Sequence, residues 1–167
     1  MAEQQYDVVF ATDLALIGLL FDGGRLIRVK YLDKKSHKVT PEKSLNQLAK
    51  AVKSKIEKHI DPQSKVKNLN IDVSLNVTPF QARALEQLQK IPYGETRSYG
   101  EIAKILKTSP RAVGNACRNN PLPIIIPCHR VVAANGIGGY DGAKSGGLLA
   151  IKYRLLEMEG VCLEAEE

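Results

Sequence analysis

Pro127-Cys128-His129-Arg130 places a thiol, an imidazole and a guanidinium side by side. The apolar runs Ile124-Ile125-Ile126 and Val131-Val132 flank them. Apolar segments of this kind exclude polar side chains unless those are paired, because burying an unpaired polar group costs free energy. The insert therefore suggests a task. Cations beside a thiol lower its pKa and raise the thiolate fraction, and Pro127 fixes the backbone just ahead of the sulfur. Cys128 is a candidate nucleophile and His129 a candidate base. Adjacent side chains rarely face each other well enough for direct proton transfer, and the Cys–His dyads of hydrolases come from separate segments. A water relay from Cys128 to His129, with a distant carboxylate orienting the ring, fits adjacency better. A thiol hydrolase and a buried structural cysteine both stay open at this level.

The other cysteines offer less. Cys117 falls on the apolar side of a helical pattern and reads as a small core residue. Cys162 lies near the C-terminus with no histidine or cation beside it. Three cysteines, with no pair at metal-ligand spacing, predict reduced thiols rather than a disulfide framework. His37, His59 and His129 are scattered and give no zinc signature. The expectation is neither metal nor cofactor.

A nucleophile must be positioned, and the segment before it suggests against what. Residues 98–120 read as a helix-turn-helix. Tyr99 to Leu106 form a short helix with Ile102, Ala103 and Ile105 apolar; Lys107-Thr108 turn the chain; Ser109 caps a second helix with Pro110 at its first position. Val113, Ala116 and Cys117 share one side of that helix, while Arg111, Asn115 and Arg118 share the other with Gly114. The net charge is +6, and residues 90–130 hold seven cations against two anions. A basic, polar helix face fits a polyanion such as DNA. A solvated helical hairpin without a partner fits the same pattern.

Ahead of this segment, Thr78 as N-cap, Pro79 and Gln81 form a capping box that starts a helix, with Phe80, Ala84, Leu85 and Leu88 on its buried side. Residues 6–32 read as three strands around an Asp22-Gly23-Gly24 turn. A helix follows over roughly Pro41 to Ile60, carried by Leu45, Leu48, Ala49, Val52 and Ile56. Residues 61–76 read as a linker with weak extended character. The expected organisation is an N-terminal α/β domain with linker over 1–76 and a DNA-binding domain over 77–167. No apolar run reaches the ~18 residues of a membrane helix. Met1-Ala2-Glu3-Gln4-Gln5 lacks the pattern of a signal peptide. A cytoplasmic protein, nuclear if eukaryotic, is expected.

Four pieces, in this order and spacing, resemble the O6-alkylguanine-DNA alkyltransferase family over roughly residues 78–160. They are Thr78-Pro79-Phe80-Gln81; Ile91-Pro92-Tyr93-Gly94-Glu95 with Ser98-Tyr99-Gly100-Glu101-Ile102-Ala103; Arg111-Ala112-Val113-Gly114 with Asn119-Asn120-Pro121; and Ile126-Pro127-Cys128-His129-Arg130-Val131. The resemblance implies an α+β fold. An RNase-H-like antiparallel sheet with a helix would precede a helical domain holding a winged-helix-like helix-turn-helix. It implies direct-reversal repair: one irreversible transfer of an alkyl group from O6-alkylguanine, and from O4-alkylthymine, in DNA to Cys128. His129 would be the water-linked base, Glu159 the carboxylate that orients it, and Asn120 the brace of the active-site turn. Tyr99 would donate to the guanine and help the target phosphate rotate. Arg111 would fill the hole left by the flipped base, and Ala112, Gly114, Asn115 and Arg118 would line the DNA contact. Tyr140, Ser145 and Lys152 are the matching substrate-loop positions, Ser145 as a guanine contact and Lys152 as a proton-transfer helper. The implied partner is double-stranded DNA, entered through the minor groove by a monomer.

The chain departs from the family in three places. It has no tryptophan, its loop Tyr140–Gly147 is longer than usual, and no cysteine precedes Cys117 to hold the N-terminal metal of some relatives. Lesion sensors of the alkyltransferase-like type replace the acceptor cysteine, which is present here as Cys128. A helix-turn-helix regulator would have no use for a buried Pro-Cys-His-Arg insert.

Overall fold

Asp22 and Arg25 close a hairpin whose two loop residues, Gly23 and Gly24, both have positive φ (57° and 79°). This is the backbone that a two-residue turn needs to match the twist of its strands, and glycine adopts it without penalty. The hairpin joins β2 (Leu16–Asp22) to β3 (Arg25–Leu32), and β1 (Val8–Ala11) pairs with β2 on its other side. The sheet is antiparallel in the order β1-β2-β3. A register shift makes Ile27 an extra residue on β3, between Arg28 opposite Leu20 and Leu26 opposite Phe21. The computed structural model describes residues 5–64, 67–142 and 146–162, and the chain divides into two units between Leu75 and Asn76.

The first unit buries Val8, Phe10, Ile17, Leu19, Leu26 and Val29 from its sheet and Ala49, Val52 and Ile56 from α1 (Gln47–His59). The helix starts later than the Pro41 read from sequence. A 3-10 turn occupies Glu42–Ser44, and the Asn46 side chain accepts from Ala49 N at 2.8 Å, which sets the helix start at Gln47. Leu48, an apolar position of the expected helix, is exposed on the first turn. Within the stretch read as linker, Leu26 N donates to Asp72 O and Ser74 N to Leu26 O, a strand-like bridge beside β3. Backbone pairing there is sequence-independent, so an apolar pattern could not signal it.

The second unit contains α2 (Pro79–Gln89), β4 (Arg97–Ser98), α3 (Tyr99–Leu106), α4 (Pro110–Arg118), β5 (Val131–Val132) and α5 (Gly147–Met158). Thr78 caps α2 through Gln81 N, but the capping box is only half made. The Gln81 side chain reaches away to donate to Ala116 O of α4 at 2.8 Å, tying the two helices together in a buried position. The full box stands one helix later, where Ser98 and Glu101 cap each other at the start of α3. Ile102, Ala103 and Leu106 form the buried face of α3, and Ile105 is 59% exposed rather than packed. Lys107 turns the chain in the left-handed region (φ 56°) and Ser109 caps α4. β4 and β5 form a two-residue parallel pair that joins the helix-turn-helix to the strand following Cys128. The architecture is mixed α/β, with a small antiparallel sheet and five helices among the described residues. None of those helices is long and apolar enough to cross a membrane.

Candidate active site and its relatives

Cys128, His129 and Arg130 form a single 3-10 turn between the Leu122–Ile126 turn and β5, and all three are buried. Asn120 builds the preceding turn from both ends: its Nδ2 donates to Ile126 O at 2.9 Å, and its Oδ1 accepts from Leu122 N at 3.0 Å. Ile124 within it is forced to φ 74°, a conformation that strains a β-branched residue by roughly 1–3 kcal/mol. The surrounding bonds hold it there, and Cys128 N donates back to Ile126 O at 2.7 Å.

Glu159, 30 residues away in sequence, closes the arrangement as the C-cap of α5. Its carboxylate accepts from His129 Nε2 at 2.6 Å, Arg130 Nε at 2.7 Å and Nη2 at 3.2 Å, and Gly94 N at 3.2 Å. Burial opposes the charge, but the donors from His129 and Arg130 prevail and hold the carboxyl at about 2. A carboxylate can only accept, so Nε2 must carry the imidazole proton. Burial keeps His129 below its ordinary value and neutral, overriding the pull of Glu159. Nδ1 is then a buried lone pair, with no hydrogen-bond partner among the described residues. That is the electronic state of a base.

Arg130 does not do what its place in the sequence suggests. Its Nη1 donates to Ile91 O at 2.8 Å, its other nitrogens hold Glu159, and its guanidinium stacks 5.5 Å over Tyr93. It organises the carboxylate and leaves the thiol alone. Burial pushes the Cys128 thiol up to about 11, against the opposing influence of Asn120 and the Lys152 ammonium. The thiolate must therefore be made by removing a proton.

Cys128 opens onto a cavity of about 510 Å³, within the range of small-ligand sites. Arg111, Gly114, Asn115, Cys117 and Arg118 of α4 line it, together with Tyr99 at the start of α3 and Gly139–Gly142. Cys117 thus faces the same cavity as Cys128 and is only partly buried, which corrects its reading as a core residue. The helix turns by about 100° per residue, so residue 117 sits at the edge between the two faces. Gly138 has φ 75°, and a Cβ there would lie 2.9 Å from the Tyr99 hydroxyl; only glycine lets the phenol in. Burial pushes the Tyr99 phenol up, so it stays protonated, 3.5 Å from Gly139 O. At Gly114 a Cβ would meet nothing within 4 Å among the described residues, so no contact with them requires glycine there. Ala112, on the same helix, is partly buried and is not part of the cavity wall.

Lys152 is completely buried on α5. Its three N–H groups donate to Val131 O at 2.7 Å, Ile137 O at 2.7 Å and Gly139 O at 2.8 Å. One ammonium thus ties β5 to the loop walling the cavity. Burial lowers it to about 8, while the two thiols draw the other way. A lone lysine in an amphipathic helix gives no sign of this in sequence. Tyr140 is buried at the cavity wall, and Ser145 lies outside the described residues. No group of three or more metal-ligating side chains occurs among the described residues.

A family model described as the DNA binding domain of 6-O-methylguanine DNA methyltransferase matches residues 79–161. The methylated-DNA–protein-cysteine methyltransferase of Methanocaldococcus vulcanius is 43% identical over 153 residues, 87% of this chain and 91% of that protein. The protein of the same name from Archaeoglobus fulgidus is 51% identical over 100 residues, 56% of this chain and 64% of that one. Among solved structures, Mycobacterium tuberculosis OGT in complex with DNA superposes with a TM-score of 0.72 at 32% identity, covering 92% of both chains. An O6-methylguanine DNA methyltransferase from Methanococcus jannaschii gives 0.67 at 33% identity, covering 95% of this chain and 96% of that one. With 91% of the Methanocaldococcus vulcanius protein matched at 43% identity, the chain belongs to the methylated-DNA–protein-cysteine methyltransferase family.

Proposed function

We propose that this protein repairs alkylated DNA by taking the alkyl group of O6-alkylguanine, and of O4-alkylthymine, onto Cys128, once per molecule and without a cofactor. The observation that carries this reading is the buried Glu159–His129 pair behind a cavity-facing thiol: Nε2–H on the carboxylate leaves Nδ1 as a proton acceptor. The Cys128 proton passes to His129 through a water relay. The thiolate attacks the saturated alkyl carbon, the S–C bond forms and the C–O6 bond breaks. Guanine leaves as an anion neutralised by the proton, with Tyr99 as the phenolic donor at the base. Tyr99 gives its own proton to the guanine ring and is restored through water by the proton that His129 took up, so in net the hydrogen lost by the thiol ends on guanine and both side chains return to their starting states. The thioether product has no route back to thiol, so the protein is spent.

The target carbon lies inside the stacked duplex, so the nucleotide must be turned out into the cavity. Arg111 on the exposed side of α4 fills the gap, while Asn115, Arg118 and the backbone at Ala112 and Gly114 approach the minor groove. Asn120 braces the reactive turn. Lys152, with all three protons committed to carbonyls, positions the cavity wall; this suits it better than carrying a proton. Tyr140 contacts the base, and Ser145 is proposed as a second contact to it. We further propose an RNase-H-like first unit, a winged-helix-like second unit, a monomer and a cytoplasmic location. The test is the intact mass after incubation with a duplex carrying O6-methylguanine. A single added methylene-equivalent, mapped to Cys128, is expected. Methylation at Cys117 or Cys162, or release of demethylated product in excess of protein, would overturn the reading.

A further inference from the structure

Residues 25–38 carry six cations, Arg25, Arg28, Lys30, Lys34, Lys35 and Lys38, against the single anion Asp33. All six are exposed. The bulge at Ile27 is what collects three of them. Without it, Arg25 and Arg28 would point to opposite faces of β3; the extra residue reverses the alternation, so Leu26 and Val29 are both buried while Arg25, Arg28 and Lys30 are all solvent-facing. None of the six forms an ion pair among the described residues. The one local anion is engaged elsewhere: Asp33 accepts from Lys35 N at 3.0 Å and Ser36 Oγ at 3.5 Å to hold the turn after β3. Asp22, across the hairpin end from Arg25, makes no ion pair with it. Beside these cations is a cleft of about 300 Å³ lined by Tyr6, Lys30, Tyr31 and His37, where Tyr6 and His37 meet edge to face at 5.9 Å.

Like charges held together repel one another, and no ion pair among the described residues offsets them. Five exposed cations, Lys90, Lys104, Lys107, Arg111 and Arg118, belong to the second unit's own segment, so the first unit's cluster is a separate one. We infer that the exposed face of β3 and the turn after it form a second DNA-binding surface, which contacts the phosphate backbone of duplex DNA without reading its sequence. This rests on the second unit's partner being DNA. A duplex held there carries one negative charge per ~1.7 Å of axis, and tethering raises the effective concentration of that polyanion around the first unit.

Two triple variants test it in the full-length protein: Arg25→Gln/Arg28→Gln/Lys30→Gln and Lys34→Gln/Lys35→Gln/Lys38→Gln. Affinity for an undamaged duplex and for an O6-methylguanine duplex is measured from 50 to 200 mM salt. Every phosphate no longer neutralised by the protein makes the slope of log K against log salt shallower by about 0.9, so a triple variant that leaves three phosphates bare changes it by about 2.7. The rate of reaction with free O6-benzylguanine stays at the wild-type value. Unchanged affinity and slope in both variants overturn the inference. So does a loss seen with an RNA hairpin but not with duplex DNA. If the wild-type protein transfers no alkyl group, the reading of Cys128 fails, and the titration of undamaged duplex still decides this surface. All six side chains are exposed, so circular dichroism melting is expected to match the wild type; a variant that melts early is replaced by single substitutions within the same triple.

Discussion

Replacing Glu159 by Gln separates the catalytic arrangement from the fold that carries it. The carboxylate, with its side chain 1% exposed, sits at about 2 against an ordinary 4.5. At ~1.36 kcal/mol per pKa unit, its charge contributes on the order of 3 kcal/mol to stability at neutral pH. The folded value lies below the unfolded one, so this contribution is complete above about 4.5 and is lost as pH falls toward about 2. The variant is therefore less stable by about that amount at pH 7 and has lost much of the acid sensitivity in that window. The kinetic effect has a different origin. A glutamine has one acceptor oxygen for donors on two sides, His129 Nε2 and Arg130 Nε. If the oxygen serves Arg130, the amide NH₂ faces Nε2, and the ring proton must move to Nδ1, which disables the base. If the oxygen serves His129, the NH₂ meets Arg130 donor to donor. Loss of a correctly oriented and protonated base costs roughly 10²–10⁴ in rate. Single-turnover transfer from an O6-methylguanine duplex, measured beside urea unfolding, reads both effects. A variant that unfolds at lower urea yet transfers at the wild-type rate would refute the reasoning. It would leave Glu159 as a structural group and remove His129 from the role of base.

Cys128→Ser abolishes transfer and retains duplex binding in a gel-shift titration, because a hydroxyl is far less acidic and a poorer nucleophile than a thiol; loss of binding as well would make Cys128 structural. Arg111→Ala slows transfer from duplex DNA by roughly 10-fold or more, the share of a few kcal/mol of extrusion cost that the guanidinium offsets, and spares free O6-benzylguanine. Equal slowing of both would show that Arg111 supports the site instead. Lys152→Met leaves three buried carbonyls without donors and lowers stability by about 2–5 kcal/mol; a urea midpoint matching the wild type would contradict the role of its three bonds. Because His129 is held below its ordinary 6.5 and must be neutral to accept a proton, the acid limb of the transfer rate falls below pH 6.5; a limb above that value would argue for a different base.

Much of this protein is legible in its residues alone. The two-glycine turn, the caps at Thr78 and Ser109 and the spans of α3 and α4 follow from local backbone chemistry, which acts over a few residues and is written in them. The order of the motifs from Thr78 to Val131 carried the family, and the polar Cys-His-Arg insert among β-branched residues marked the reactive turn. Tertiary packing settled the partners of side chains long enough to choose. Gln81 left its own helix for Ala116 O, Arg130 turned from its neighbouring thiol to Glu159 and Ile91 O, and Lys152 spent three protons on three carbonyls. Cys117 came to face the cavity from the border of a helix face. Such choices depend on which acceptors other segments bring within about 3 Å, and on the cost of leaving any of them unpaired once water is excluded. For the same reason the thiol's acidity was not legible in sequence. Adjacent cations suggested a lowered pKa, but burial sends it the other way, and burial is a property of the folded chain.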